Sequence, residues 1–285
     1  MIAMRVSTKT REIAVDTRVA NRLCSSNFRR TEMRLIALCV ACVLFSATGL
    51  HAADLVSGTW TTGEGSTTRV YVLMVSGDRL TGIMCGPCDD PASVFRIEDG
   101  RILDADHATF FIQYGTNRER IDATLARNVM KLSVRPEADS RATPRSISLT
   151  RVVDNFELNA LPLPPAPEGA ARAPVAPIEG RWVSVGRTAQ QNWILKVRGN
   201  DVWGLVCGPC TPLVVTMIDG RIDGDTIVFR INHIDTPPNP DRKGIQRNVM
   251  TGTITGGNNT NVMKFKWVSE GTTNTGEIMM IGPVR

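Results

Sequence analysis

The sequence spells Cys-Gly-Pro-Cys twice, at Cys85–Cys88 and Cys207–Cys210, and these four thiols are its clearest candidates for chemistry. Two cysteines at this spacing can exchange a disulfide, supply half of a four-thiolate zinc site, or close a local bridge. Exchange calls for a helix whose N-terminus lowers the pKa of the first thiol. The first motif instead leads into Asp89-Asp-Pro-Ala-Ser-Val-Phe-Arg-Ile97, and the second into Thr211-Pro-Leu-Val-Val-Thr-Met-Ile218. Early prolines and then β-branched residues read as turn and strand. A zinc site would have to join pairs lying 122 residues apart. A turn, by contrast, brings residues i and i+3 within about 7 Å, a separation that a bridge accepts. The expectation is two disulfides, Cys85–Cys88 and Cys207–Cys210, with no metal and no cofactor. A thiol-disulfide redox protein is the alternative.

No other catalytic set assembles. His107 and His233 have no counterparts in the matching parts of the chain, and Asp99, Asp104, Asp219 and Asp223 stand beside turn formers. Gly-x-Ser-x-Gly, His-Glu-x-x-His and phosphate-cradling loops do not occur. The chain therefore reads as a non-enzyme.

The formal charge of +5 invites a nucleic-acid reading. Residues 1–53, however, carry 8 Lys/Arg and 3 Asp/Glu, whereas residues 54–285 carry 25 of each. A neutral body has no counterion-release term with which to hold a polyanion along its length. The basic segment has its own explanation. Met33-Arg34, the apolar run Leu35–Phe45 and the small residues ending at Ala53 make a secretory signal peptide over 33–53. Residues 1–32 read as a mis-assigned start or an extension. A periplasmic or secreted protein with no stable membrane span after cleavage is expected, and its compartment favours disulfides.

The elements that carry the cysteines are themselves duplicated. Gly58-Thr-Trp60 returns as Gly180-Arg-Trp182, Tyr71–Gly77 as Trp193–Gly199, and Gly82–Cys88 as Gly204–Cys210. Further on, Ile97-Glu-Asp-Gly-Arg-Ile102 matches Ile218-Asp-Gly-Arg-Ile222. Apolar residues recur with period two, as in Tyr71, Leu73 and Val75, and again in Trp193, Leu195 and Val197. Glycine-containing turns divide roughly 100 residues of each copy into about eight short strands. So many consecutive strands hide their edges best by closing. The expected fold is all-β: two tandem, roughly eight-stranded antiparallel up-and-down β-barrels, over 54–153 and 178–285. Between them, 154–177 holds six prolines from Leu161 to Pro177 and reads as an extended spacer, able to reach about 50 Å at the polyproline rise.

Gly58-Thr-Trp60 and Gly180-Arg-Trp182, each opening an eight-strand meander, resemble the Gly-x-Trp start of lipocalins. The pattern is similar to short lipocalin-like (calycin-type) barrel repeats of bacterial envelope proteins. The resemblance implies that Arg151, on the last strand of copy 1, packs over Trp60, while copy 2 departs from it, ending at Arg285. It implies a fold, and function has to come from a site. The features retained in both copies are tryptophans, turn glycines and inward hydrophobes, which suit a binding or scaffolding unit. Its partner would be a small apolar ligand or an envelope component. If a ligand pocket exists, Tyr71, Leu73 and Phe110 line it in copy 1, and Trp193, Leu195 and Phe229 in copy 2.

Overall fold

The computed structural model describes residues 56–63, 68–154, 163, 165, 172–174, 176–186, 191–208, 210, 215–233, 246–255, 261–269 and 272–283. The expected signal peptide, the segment before it and Arg285 lie outside these residues.

The chain is all-β. The first copy runs β1 (Gly58–Thr61), β2 (Val70–Ser76), β3 (Arg79–Cys85), β4 (Val94–Ile102), β5 (His107–Tyr114), β6 (Asn117–Ala126), β7 (Val129–Pro136) and β8 (Arg145–Asp154). The second runs β9 (Gly180–Ser184), β10 (Asn192–Arg198), β11 (Asp201–Cys207), β12 (Thr216–Asp223), β13 (Thr226–His233), β14 (Gln246–Thr255), β15 (Val262–Ser269) and β16 (Thr272–Pro283). Each set is a closed barrel of eight antiparallel strands in sequence order, shut by β1 on β8 and by β9 on β16. Closure removes every sheet edge.

The period-two residues build the interiors. Trp60, Tyr71, Leu73, Phe110, Ile112, Met130 and Leu132 form one buried cluster, and Trp182, Trp193, Leu195, Phe229, Met263 and Phe265 form the other. Each opening tryptophan is locked by its indole N–H, which Trp60 donates to the Val56 carbonyl and Trp182 to the Ile178 carbonyl, both at 2.9 Å. Turn chemistry sets the register: Gly77 has φ +63° where Ser76 pairs with Arg79 across the β2–β3 hairpin. Gly204, at φ +154°, lies so near the Ile194 carbonyl that a Cβ there would collide with it.

Alternation does not end with polar outer faces. Val70, Val72 and Met74, the outward residues of β2, are buried together with Ile83, Cys85, Cys88 and Val94. Their cluster continues into the second copy through Ile194, Trp203, Leu205, Cys207, Val215 and Met217. The two barrels thus belong to one compact unit, joined along an apolar seam. Val72 corresponds to Ile194, Ile83 to Leu205, Cys85 to Cys207 and Val94 to Val215 in the duplicated sequence. The seam therefore matches one patch with its own repeat, as an isologous dimer does.

The seam corrects the picture of barrels held apart on a long spacer. The later part of the proline-rich segment lies on the second barrel. Arg172 donates its backbone N–H to Asp223 at 2.7 Å and its carbonyl accepts from Asn200 and Gly224; Asn261 donates to the Pro177 carbonyl at 2.5 Å. Ile178 is buried in the barrel cluster and Ala176 packs against it. Among the described residues no helix is long and apolar enough to cross a membrane.

Candidate functional site

The six residues expected to line a pocket face the barrel interiors. Tyr71, Leu73 and Phe110 are at most 1% exposed, and Trp193, Leu195 and Phe229 at most 3%. In the second barrel the rings pack on one another, with centroids 6.1 Å apart for Trp193–Phe229, 5.5 Å for Trp193–Phe265 and 6.0 Å for Phe229–Phe265. Separations of this kind are those of core aromatics in contact. The described cavities lie elsewhere, outside the barrels.

Tyr71 and Tyr114 are the two tyrosines of the chain. Burial pushes both phenols above their ordinary value, and a neighbouring Arg69 partly offsets this at Tyr71. Both remain protonated at neutral pH and supply no base.

The cysteines are paired as expected. Disulfides join Cys85 to Cys88 and Cys207 to Cys210, with Cα separations of 4.9 and 4.7 Å. Both hairpin ends point into the seam, where Cys85, Cys88 and Cys207 are buried and Cys210 packs beside them. Exchange proceeds by attack of a thiolate on an accessible sulfur, and Cys85, Cys88 and Cys207 are at most 6% exposed.

His107 sits on the β4–β5 turn with Nδ1 2.8 Å from one Asp104 oxygen and 3.1 Å from Asp106. The His107 side chain and the Asp106 backbone N–H both bond Asp104 and hold its carboxyl down to about 2. The same pairing raises His107. All three residues are exposed. They close their own turn, and copy 2 has Thr226 in place of the histidine.

The outer surface offers a more elaborate arrangement. Along one side of the seam, Arg79, Thr81, Arg96, Glu98, Arg101 and Arg198 contribute to a cavity of about 440 Å³. A second cavity of about 360 Å³ shares Arg96, Glu98 and Arg198 with it and adds Gln113, Lys196 and Trp203. Sharing three side chains, the two make one groove. Ion pairs cross it from barrel to barrel: Arg198 to Glu98 at 2.7 Å, and Arg96 to Asp201 and Asp219 at 3.8 and 3.9 Å. Two β-bulges shape its floor, one between Leu80 and Gly82 and one between Glu98 and Arg101, where Asp99 has φ +49°. Bulges re-aim side chains in this way.

Sequence reasoning gave none of these groove residues a binding role. Two signals for them were present. The β2 run Val-Tyr-Val-Leu-Met-Val is apolar on both faces, the mark of a strand covered on both sides. The segment Ile97–Ile102 is one residue longer than Ile218–Ile222, and that residue is the β4 bulge.

No protein-family model matches the chain, and no curated protein matches it. Among solved structures, a GphF dehydratase variant prepared for improved crystallization is similar at 10% identity, over 80% of this chain and 96% of its own, with a TM-score of 0.18. An isomerase-inactive variant of GphF DH1 is similar at 8% identity, over 80% and 94%, with a TM-score of 0.17. At such TM-scores the likenesses carry no argument about fold or activity.

Proposed function

We propose that the chain is a non-enzymatic, exported binding or scaffolding protein of the bacterial envelope, which recognises a partner through the outer surface of its paired barrels. The observation that carries this reading is the seam. It joins the repeats into one body and leaves a polar, arginine-rich groove along its edge. An apolar pocket would need the inward residues free to receive a ligand, and here they are occupied with one another. That favours a partner surface over a small apolar ligand. The thiol-redox alternative draws no support from sulfurs placed in an apolar cluster.

Saturable binding of the purified chain to isolated envelopes is the expected result, with no hydrolase or oxidoreductase turnover. Absence of saturable binding counts against the reading, as does turnover abolished by one polar substitution. Titration with apolar compounds should leave the emission of Trp193 unchanged; a saturable blue shift would return the pocket reading in place of the surface.

A further inference from the structure

The two copies share a ladder position at which their charges differ. In the second barrel Asp201 stands opposite Arg221, so opposite charges face each other across the ladder. The corresponding position of the first barrel holds Arg79 opposite Arg101. Like charges directly opposed across a ladder are destabilising, so an anion bound between them would relieve this pair. Asp78 reaches Arg101 at 2.7 Å, but among the described residues no carboxylate pairs with Arg79. Both arginines line the seam cavity, and Arg96 and Arg198 enter it as well.

The acids of the cavity are already engaged. Glu98 bonds Arg198 at 2.7 Å and lies 4.0 Å from Arg118, while Asp99 pairs with Arg118. Arg96 has no carboxylate closer than 3.8 Å among the described residues, although it is only 28% exposed. Of the four arginines, Arg79 therefore has no carboxylate partner among the described residues, and Arg96 has only its two long ion pairs, to Asp201 at 3.8 Å and Asp219 at 3.9 Å. The bulge next to Arg101 takes up the extra residue of Ile97–Ile102, which the second copy lacks, and keeps Arg101 opposite Arg79. Copy 2 places Met217 where copy 1 has Arg96. One copy has thus kept the seam and altered its edge.

We infer that the groove beside the seam is an oxyanion site, in which Arg79, Arg96 and Arg101 hold a phosphate or carboxylate group of an anionic ligand. Guanidinium groups suit such anions because their planar N–H fork matches two oxygens. Trp203, on the groove floor beside Lys196 and Arg198, offers an apolar face to the part of the ligand that bears the anion. The inference deepens the binding reading above and rests on it only for the chain's wider role.

Calorimetric titration of the purified full chain at low salt tests it, with tripolyphosphate as one probe and trigalacturonate as the other. Saturable binding of either is expected, and which one binds separates phosphate from carboxylate sources. Arg79→Ala and Arg96→Ala should each weaken it by about ten-fold, whereas Lys131→Ala, on the outer face of β7, should not change it. Arg79→Asp recreates the charge pair of the second barrel. It should abolish binding while raising the unfolding midpoint by about 1–3 °C, so lost binding is not mistaken for lost fold. Failure of both probes to bind the parent chain overturns the site, as does unchanged binding by Arg79→Asp. Envelope binding without probe binding removes the oxyanion site alone; probe binding without envelope binding removes the wider reading alone.

Discussion

The guanidinium carbon of Arg151 lies 4.5 Å from the centre of the Trp60 ring. The two residues face each other across the β1–β8 ladder that closes the first barrel. In the second barrel the same ladder position opposite Trp182 is held by Met280. A methionine packed against the second barrel's cluster thus takes the ladder position that a guanidinium holds in the first, so the charge over the ring is not common to both copies. Arg151→Met should cost about 0.5–2 kcal/mol, the range for a cation over an aromatic face. Trp60→Ala empties a fully buried site and should cost about 3–5 kcal/mol. Urea unfolding of the two variants measures the difference. An Arg151→Met loss as large as that of Trp60→Ala would mean that the arginine, and no mere cover, closes the barrel.

The seam makes a second prediction about cooperativity. Ile83, Ile194 and Leu205 are 0% exposed although they point outward from their own barrels. Their burial is lost if the barrels part, so the parent chain should unfold in one calorimetric transition. Leu205→Ala should cost about 2–5 kcal/mol. Leu205→Asp buries an uncompensated charge and should split the trace into two transitions, one per barrel. Two transitions in the parent chain would show that the seam is too weak to couple them.

How much of this was legible in the sequence depends on which interactions are local. Strand faces such as Tyr71, Leu73 and Val75 could be read because alternation is a property of neighbours. The disulfides could be read because a three-residue spacing nearly fixes the geometry. The seam could not be read in the same way. Val72 and Ile194 come together only after two closed barrels have formed, and the repeat alone does not say that equal patches meet. The strap of Arg172 on Asp223 spans 51 residues and depends on one carboxylate. Whether Phe110 and Phe229 line a space or fill it depends on strand tilt and summed side-chain volume, which pattern does not report. The arginine groove escaped notice because its residues look like ordinary exposed charges until the two ladders are compared.

Disulfide placement supports a third prediction. With Cys85 and Cys207 buried, thiol titration of the native protein should find none of the four motif cysteines free, and native-state reduction should be slow without denaturant. Replacing both members of one pair by alanine should cost about 2 kcal/mol from chain entropy for so small a loop. Insulin reduction by dithiothreitol should be no faster with the protein than without it. Rapid reduction of the folded protein, or an accelerated insulin reaction, would return the redox alternative.

The Asp104–His107 turn carries the pH prediction. Asp104 has a folded value near 2 against an ordinary 3.8, so its contribution is present above 3.8 and is lost as pH falls through about 2. His107 is raised from 6.5 by the same carboxylate, so its contribution is complete below 6.5 and is lost as pH rises through the folded value. The bonded turn is therefore intact from about pH 4 to beyond 6.5 and opens at both extremes. Both groups are exposed, so the effect is local, screened by salt, and readable in the His107 ring signals by NMR. Asp104→Asn removes the larger cause and should return His107 toward 6.5. An unchanged histidine titration in that variant would assign the shift to Asp106, which lies 3.1 Å from the same ring nitrogen.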